Sequence, residues 1–458
     1  ILYLSGLSRI LRANPSMPNK ADVRNVILNA FRPGTAMDLP AQFAGRKEEV
    51  ETLVDALYVD GNCPIIYGDR GLGKTSLALQ LERIALGDTE LLDELDLSDR
   101  ILPVDNRFTT FSFPCSDGVA TKDDLLQRLI NTATGFDPHT PLVPSAESRQ
   151  VTTRIKLKLF EREVQETYGD KRRGHEFEHL SIEEKFQLVA EHVAEKNRSK
   201  VLFIIDELDR VKDTKGLASI IKNLSGRDVK FLLVGVGQSV SALLHDHNSL
   251  QRTLIQVPVW VMRDDDCAAI ITKAELALRH AGVGIGFSGQ AINSVVEASG
   301  GFPWFVHTIA QEALRLTFEE SKHEVPHANV KKAIGLLSSR KYGQQFYDMY
   351  QSAVGNSQQR EIVLRLFAKW MDSDLPTSDL YPLAHQLQVA NPALLAKQLM
   401  SQQYGAVLVR PPYAAASFFR FTNAMFKRYV SLRDAVYHGV QEQVDEIWEA
   451  HLKNVKSD

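Results

Sequence analysis

The residues best suited to chemistry form a glycine-rich run, Gly68-Asp69-Arg70-Gly71-Leu72-Gly73-Lys74-Thr75, followed by Ser76. The spacing is G-x-x-x-x-G-K-[ST] in full. Glycines here let the backbone curl until its N–H groups face the oxygens of a phosphate. Lys74 adds a cation for β- and γ-phosphates, and the Thr75 hydroxyl is of the kind that ligates Mg²⁺. Far downstream, Val201-Leu202-Phe203-Ile204-Ile205 runs into Asp206-Glu207. Asp206 is expected to hold the Mg²⁺ shell, and Glu207 to polarise an attacking water as a general base. Alone, this run reads equally well as a core strand ending in solvated acids; the phosphate loop upstream favours catalysis. A third apolar run, Phe231–Val236, ends in Gly237-Gln238-Ser239. Gln238 is the candidate to reach between water and γ-phosphate, the alternative being an ordinary turn residue.

These groups need a scaffold that brings strand ends together. Cys63–Tyr67, Thr109–Phe113, Val201–Ile205, Phe231–Val236 and Leu254–Val259 are short apolar runs. Helical spacing separates them, as at Val50, Leu53, Val54 and Leu57 and in Ser76–Leu86. Alternation of strand and helix predicts an α/β fold: a P-loop NTPase parallel sheet sandwiched by helices, with ligands at the carboxyl ends of the strands. Residues 137–180 interrupt the rhythm. Pro138, Pro141 and Pro144 open them, Ile155-Lys156-Leu157-Lys158-Leu159 alternates apolar and basic residues, and Lys171-Arg172-Arg173-Gly174 follows. We read an insertion, either a lysine-guarded edge strand or a contact for a phosphate backbone. After Pro258 the strands are expected to stop. Asp264–Ala281, Ser288–Ser299, Trp304–Thr317 and Val330–Leu337 read as an all-α region, with Asp264-Asp265-Asp266 suiting the positive end of the first helix. His245 and His247 lack further ligands nearby and read as loop residues. Helices at Arg360–Met371, Leu380–Leu387 and Pro392–Gln403 precede strands at Ala406–Arg410 and Ser417–Thr422, the layout of a winged helix. Val440–Leu452 closes the chain as an amphipathic helix.

The 458 residues, 44% apolar and 24% charged with net charge -4, describe an ordinary globular chain and exclude wholesale disorder or a polyanion coat. Three dispersed cysteines, Cys63, Cys115 and Cys267, argue against a disulfide framework and suit a reducing, cytoplasmic setting. No apolar run approaches the roughly 20 residues that span a bilayer. With Met17 as the start, residues 1–16 would fall outside the native chain. The expected boundaries are 1–40 for a lead, 41–259 for the nucleotide core, 260–340 for a helical lid and 341–458 for the winged-helix domain with its terminal helix.

The order of these motifs resembles the AAA+ and STAND ATPases, in particular origin-recognition-like initiators and the bacterial and archaeal ATPases that share their helical lid and winged helix. The resemblance covers about residues 40–435. Phe43-Ala44-Gly45-Arg46-Lys47-Glu48-Glu49 resembles the box that packs near the adenine, which implies Gly45 and Arg46 as nucleotide neighbours. Asp206-Glu207-Leu208-Asp209 resembles the DExD variant of the acidic motif. Ser299-Gly300-Gly301-Phe302-Pro303 resembles the lid's G-x-P turn, which implies an approach of Pro303 to the nucleotide. Where many AAA+ members carry a sensing arginine after that proline, this chain has Trp304, which moves the resemblance toward STAND proteins. Arg252 lies where a finger reaching a neighbour's nucleotide is found; the alternative is a surface arginine beside an acid. The resemblance implies ATP and Mg²⁺ as ligands and a nucleotide-dependent homo-oligomer. The use is either work on DNA, such as replication, transposition or defence, or a slow signalling switch acting through a protein partner.

The carboxyl-terminal module leaves that choice open. Between Ser401 and Arg433 stand Arg410, Arg420, Lys427, Arg428 and Arg433 without an acidic residue. A basic wing suits double-stranded DNA. The candidate recognition helix, however, carries only Lys397 as a charge, and no arginine to pair with a guanine edge. Nonspecific DNA contact and protein contact are equally compatible with it.

Overall fold

The computed structural model describes residues 20–101, 107–135, 180–226, 228–237, 240–244, 252–337, 340–411 and 417–455. The lead 1–16, the insertion at 137–180 apart from its last residue, Gln238, Ser239, His245 and His247 lie outside them. The chain divides into two compact units, one spanning Ala36–Trp260 and the other comprising the segments up to Thr35 and from Val261 onward. Helix α1 (Lys20–Ala30) belongs to the latter.

In Ala36–Trp260 the elements run α2 (Lys47–Tyr58), β1 (Cys63–Gly68), α3 (Lys74–Ala85), α4 (Glu90–Glu94), β2 (Phe108–Pro114), α5 (Lys122–Ala133), α6 (Ile182–Asn197), β3 (Lys200–Asp206), α7 (Leu217–Leu224), β4 (Val229–Val236) and β5 (Leu254–Pro258). The strands form one parallel sheet in the order β2-β3-β4-β1-β5. A parallel sheet covered on both faces needs near-continuous apolar strands, and Val201–Ile205 of β3 is buried throughout. Phe203 stacks on Phe231 of β4 at 5.6 Å and packs against Phe186 of α6 at 5.0 Å. Helices α5 and α6 both begin with capping boxes, Thr121 with Asp124 and Ser181 with Glu184, which satisfy orphan amides at their starts. Strand β4 begins earlier than its apolar run, because it takes in the fully buried Lys230. The Lys230 ammonium donates to the carbonyls of Ala56, at 3.2 Å, and Val59, at the end of α2. Those carbonyls have no partners within their own helix and attract a cation.

The second unit continues with α8 (Asp264–His280), β6 (Gly286–Phe287), α9 (Gly289–Ser299), α10 (Pro303–Glu319), β7 (Glu324–Val325), α11 (His327–Leu337), α12 (Arg340–Val354), α13 (Gln358–Lys369), β8 (Leu375–Pro376), α14 (Thr377–Gln386), α15 (Pro392–Gln398), β9 (Leu408–Val409), β10 (Phe418–Phe421), α16 (Ala424–Leu432) and α17 (Val440–Val455). Helix α1 is tied to α10, where Gln311 donates to the carbonyls of Leu28 and Phe31, both at 2.8 Å. Strands do not stop at Pro258: β6 pairs with β7 in parallel, and β8 joins the expected hairpin to give the order β8-β10-β9. Two-residue strands are set by a pair of backbone bonds and carry no period for a sequence to display. The third expected helix ends at Gln398, short of Gln403, and the hairpin strands are shorter than read. Helices α12 and α16 have no counterpart in the sequence reading. Gly343 breaks the helical dihedrals within α12, while Phe346, Tyr350, Ala353 and Val354 keep a helical spacing and are buried.

A buried charged knot anchors the last helices. Glu361 of α13 is fully buried and accepts from the Tyr350 hydroxyl at 2.5 Å and from the amides of Val436 at 2.6 Å and Tyr437 at 2.9 Å. Arg365, one turn on, donates to Glu361 at 3.4 Å and to the carbonyl of Arg433 at 2.9 Å. Removing one member of such a buried set costs about 3–5 kcal/mol, because its partner is left uncompensated.

Candidate nucleotide site

The loop 68–75 leaves β1 and enters α3. Gly68, Gly71 and Gly73 hold φ of 149°, 82° and 88°, a region that disfavours side chains. At Gly68 a Cβ would also lie 2.4 Å from the Val259 carbonyl oxygen, so this strand end admits no other residue without displacement. Lys74 is buried, and its ammonium donates back to the Asp69 carbonyl at 2.7 Å. Desolvation lowers its pKa to about 8 against the opposing pull of Asp209, Asp69 and Asp206. A phosphate arriving at this loop would supply the counter-charge that burial has removed. Arg70 and Thr75 are exposed, while Leu72 is buried.

The carboxyl end of β3 meets this loop directly. The Thr75 hydroxyl donates to Asp206 Oδ2 at 2.8 Å, across 131 residues of chain. Asp206 Oδ1 accepts the Glu207 amide at 2.7 Å. Two adjacent hard oxygen donors fit Mg²⁺, which keeps several waters and takes its remaining ligands from substrate phosphates. Among the described residues no cluster of three or more His, Cys, Asp or Glu could hold a metal by itself. Glu207 holds a left-handed conformation, φ 54° and ψ 38°. Its carboxylate pairs with Arg210, at 2.8 Å to Nε and 3.3 Å to Nη2, and Arg210 in turn pairs with Asp117 at 3.2 Å.

Other expected residues fall in varied places. Gly45 and Arg46 take consecutive left-handed conformations at the start of α2. The Arg46 guanidinium is spent on structure: it pairs with Glu49 at 2.9 Å and donates to the carbonyls of Leu72, at 3.1 Å, and Trp260, at 2.7 Å. It thus braces the phosphate loop from outside. Ser76 accepts the Met37 amide at 3.0 Å. Arg252 is exposed two residues before β5. Pro303 belongs to the other unit, where it opens α10 after Gly300 and Gly301, both at positive φ. There Trp304 packs edge-on against Phe305 at 5.0 Å and Phe346 of α12 at 5.9 Å. Gln238 lies outside the described residues. The sequence placed Asp209 in the DExD resemblance without a role of its own and said nothing of Arg210, whose signal was a base four residues after Asp206. Cys115 donates its amide to the Asp206 carbonyl at 2.8 Å. Burial beside the acids pushes its thiol up to about 12, so it stays a neutral packing group.

The basic residues of the carboxyl-terminal module are engaged within their own unit. Arg410 lies 5.4 Å from the Phe419 ring centre, Arg420 pairs with Asp374, and Lys427 donates to the Asp372 carbonyl at 2.7 Å. Arg428 caps α9 through the carbonyls of Ala298, at 2.9 Å, and Glu297, and Arg433 lies 4.1 Å over the Tyr350 ring. For Arg420, Lys427, Arg428 and Arg433 these partners lie outside the window 401–433, whereas Arg410 is exposed and its ring partner lies inside it. The exposed side of α15 shows Ala393, Leu394 and Lys397.

Residues 106–249 match the KAP family P-loop domain. No curated protein matches the chain. Among solved structures, the chain is similar to the Walker-type ATPase of Pyrococcus abyssi, at 15% identity over 88% of this chain and 99% of that one with a TM-score of 0.47. It is also similar to the Aeropyrum pernix ORC2 protein, at 13% identity over 94% and 98% with a TM-score of 0.45. Thermotoga maritima RuvB shows 14% identity over 84% and 94% with a TM-score of 0.36. The glycine loop on β1, the acid-tipped β3 bonded to it and the parallel sheet that aligns them make Ala36–Trp260 a P-loop NTPase domain.

Proposed function

We propose that this chain is a Mg²⁺-dependent ATPase of the AAA+/STAND type, whose nucleotide state governs a helical lid and a winged-helix module. The observation that carries this reading is the 2.8 Å bond from Thr75 to Asp206, which places the phosphate loop and the acid-tipped strand at one point. Lys74 would neutralise the β- and γ-phosphates, Thr75 and Asp206 would hold the cation, and Glu207 would accept a proton from the attacking water. Bound Mg²⁺ would offset charge developing on the phosphates. ATP as the nucleotide rests on the sequence resemblance, as does assembly into a homo-oligomer with Arg252 acting in trans. The order of α13, α14 and α15 followed by β9 and β10 supports the winged-helix reading. Among the described residues no helix is long and apolar enough to cross a membrane.

Two uses compete, and specific observations favour the second. Work on duplex DNA rested on a basic wing, but Arg420, Lys427, Arg428 and Arg433 have partners within their unit, and Arg410 is left exposed beside the Phe419 ring. A slow switch acting through a protein partner suits the half-exposed, apolar-leaning side of α15. It also suits the pairing of Glu207 with Arg210, since a carboxylate held by a guanidinium must turn away before it can serve water.

The test is steady-state ATP hydrolysis by the full chain at low salt, with and without duplex DNA, with Lys74→Ala as blank. Hydrolysis absent from the blank supports the site. Stimulation by DNA would place the module on nucleic acid; slow turnover indifferent to DNA supports the switch. Equal nucleotide affinity in wild type and Lys74→Ala removes the site assignment altogether.

A further inference from the structure

Beyond the residues assigned above, one acid beside the site has a partner that the chemistry leaves unexplained. Asp209 lies in the short helical turn Leu208–Arg210 that follows Glu207. Its Oδ1 accepts the backbone amide of Val236, the last residue of β4, at 2.7 Å. The β3–β4 ladder runs from Val201↔Val229 to Ile205↔Leu233, and β3 ends at Asp206. Asp209 therefore supplies a side-chain acceptor to β4 where the neighbouring backbone has run out. The next amide, Gly237, donates to the Gly68 carbonyl at 3.3 Å, on the phosphate loop itself. Consecutive amides at the tip of β4 thus bind the acid turn and the phosphate loop. Glu207 sits inside the turn so held, in a left-handed conformation that a non-glycine residue adopts only under local constraint.

We infer that Asp209 is a positioning residue: by anchoring the turn 206–210 to the tip of β4, it holds Glu207 in register with Thr75, Asp206 and the phosphate loop. The inference rests on the proposed ATPase reading and adds a residue to it. Asp209 touches neither water nor phosphate in this role. It acts through the Val236 amide; its charge also pulls on Lys74, so the acceptor oxygen has to be separated from the charge by substitution.

This distinguishes two substitutions. Asp209→Asn keeps a carbonyl oxygen able to accept the Val236 amide; Asp209→Ala removes the acceptor. In the full-length chain, Asp209→Ala is expected to lower kcat by about a hundredfold, the scale of loss from slight misplacement of a catalytic group. Its affinity for a fluorescent ATP analogue should stay within about threefold, since the phosphate loop is built from β1 and α3. Asp209→Asn should recover most of that kcat. Hydrogen exchange gives an independent readout: the peptide containing Val236 and Gly237 should exchange faster in Asp209→Ala and at the wild-type rate in Asp209→Asn. Three outcomes overturn the inference: wild-type kcat in Asp209→Ala, loss of kcat in Asp209→Asn equal to that in Asp209→Ala with unchanged exchange, or parallel loss of affinity and kcat in both. If Asp209→Ala fails to fold, the kcat and exchange of Asp209→Asn still decide. Failure of the ATPase reading looks different, because wild type itself would then show no nucleotide binding above the Lys74→Ala blank.

Discussion

At the scale of single residues, the site is defined by what each charge faces. Lys74 is buried against the Asp69 carbonyl and waits for a stronger partner. Its removal should cost about two orders of magnitude in nucleotide affinity, the worth of a charge-assisted bond to phosphate; equilibrium titration with a fluorescent nucleotide measures this. Glu207→Gln keeps the shape of the side chain but not its basicity. It should bind ATP as wild type does while turnover falls by about 10²–10⁴, and unchanged turnover would strip Glu207 of its assigned role. Arg252 calls for a mixing experiment. A finger in trans is worth about 10³–10⁵ in rate, so Arg252→Ala alone should be nearly inactive. Adding Glu207→Gln subunits, which retain Arg252, should restore activity at the intact acids of the first variant. An inactive mixture would show that Arg252 does not act across subunits.

At the scale of elements, helix ends and strand ends carry the energetics. Lys230 crosses from β4 to the end of α2, with Asp60, Lys200 and Cys63 around it. Burial lowers its pKa from 10.5 to about 8. Between about pH 8 and 10.5 the unfolded chain therefore binds more protons at this group than the folded chain does. Its contribution to stability rises with pH through that window and is flat below it. Cys63 opposes this above about pH 9, because burial pushes its thiol up to about 12 and the unfolded chain loses that proton first. Comparison with Lys230→Met separates the two. The Tm of wild type minus that of Lys230→Met should grow from pH 7 to pH 9.5 in thermal melts, and a constant difference would contradict the assignment. The same logic of ends explains why β6, β7 and β8 were illegible in sequence while β3 was plain. A buried central strand needs a run of apolar residues, whereas a two-residue strand needs only a neighbour.

At the scale of the whole molecule, the five basic residues 410–433 decide how the module is to be tested. Each arginine or lysine that neutralises a DNA phosphate contributes about 0.9 to the slope of log affinity against log salt. Arg428 is committed to the end of α9, where it donates to Ala298 and Glu297 and where a Cβ on Gly300 would come within 2.9 Å of it. Arg428→Ala should therefore leave any salt slope of DNA binding unchanged and lower stability by about 1–2 kcal/mol, the worth of a cation bonded to carbonyls at a helix end. A reduced slope with unaltered stability would return Arg428 to the nucleic-acid face.

Taken by itself, the sequence determined the phosphate loop, the acid-tipped strand and the alternation that aligns them. These are local demands: glycine where φ must be positive, as at Gly71 and Gly73, and an unbroken apolar run where both faces of a strand are covered, as at Val201–Ile205. Only the tertiary structure decided what the remaining charges are for. Arg46 braces Leu72 and Trp260, Asp209 takes the amide of Val236, and Arg420, Lys427 and Arg428 serve an acid and carbonyls elsewhere in their unit. The reason is distance along the chain: Arg428 meets Ala298 across 130 residues and Lys230 meets Ala56 across 174. A charge displays its type in the sequence, but its partner is chosen by the fold, and the partner determines whether that charge is left for a ligand.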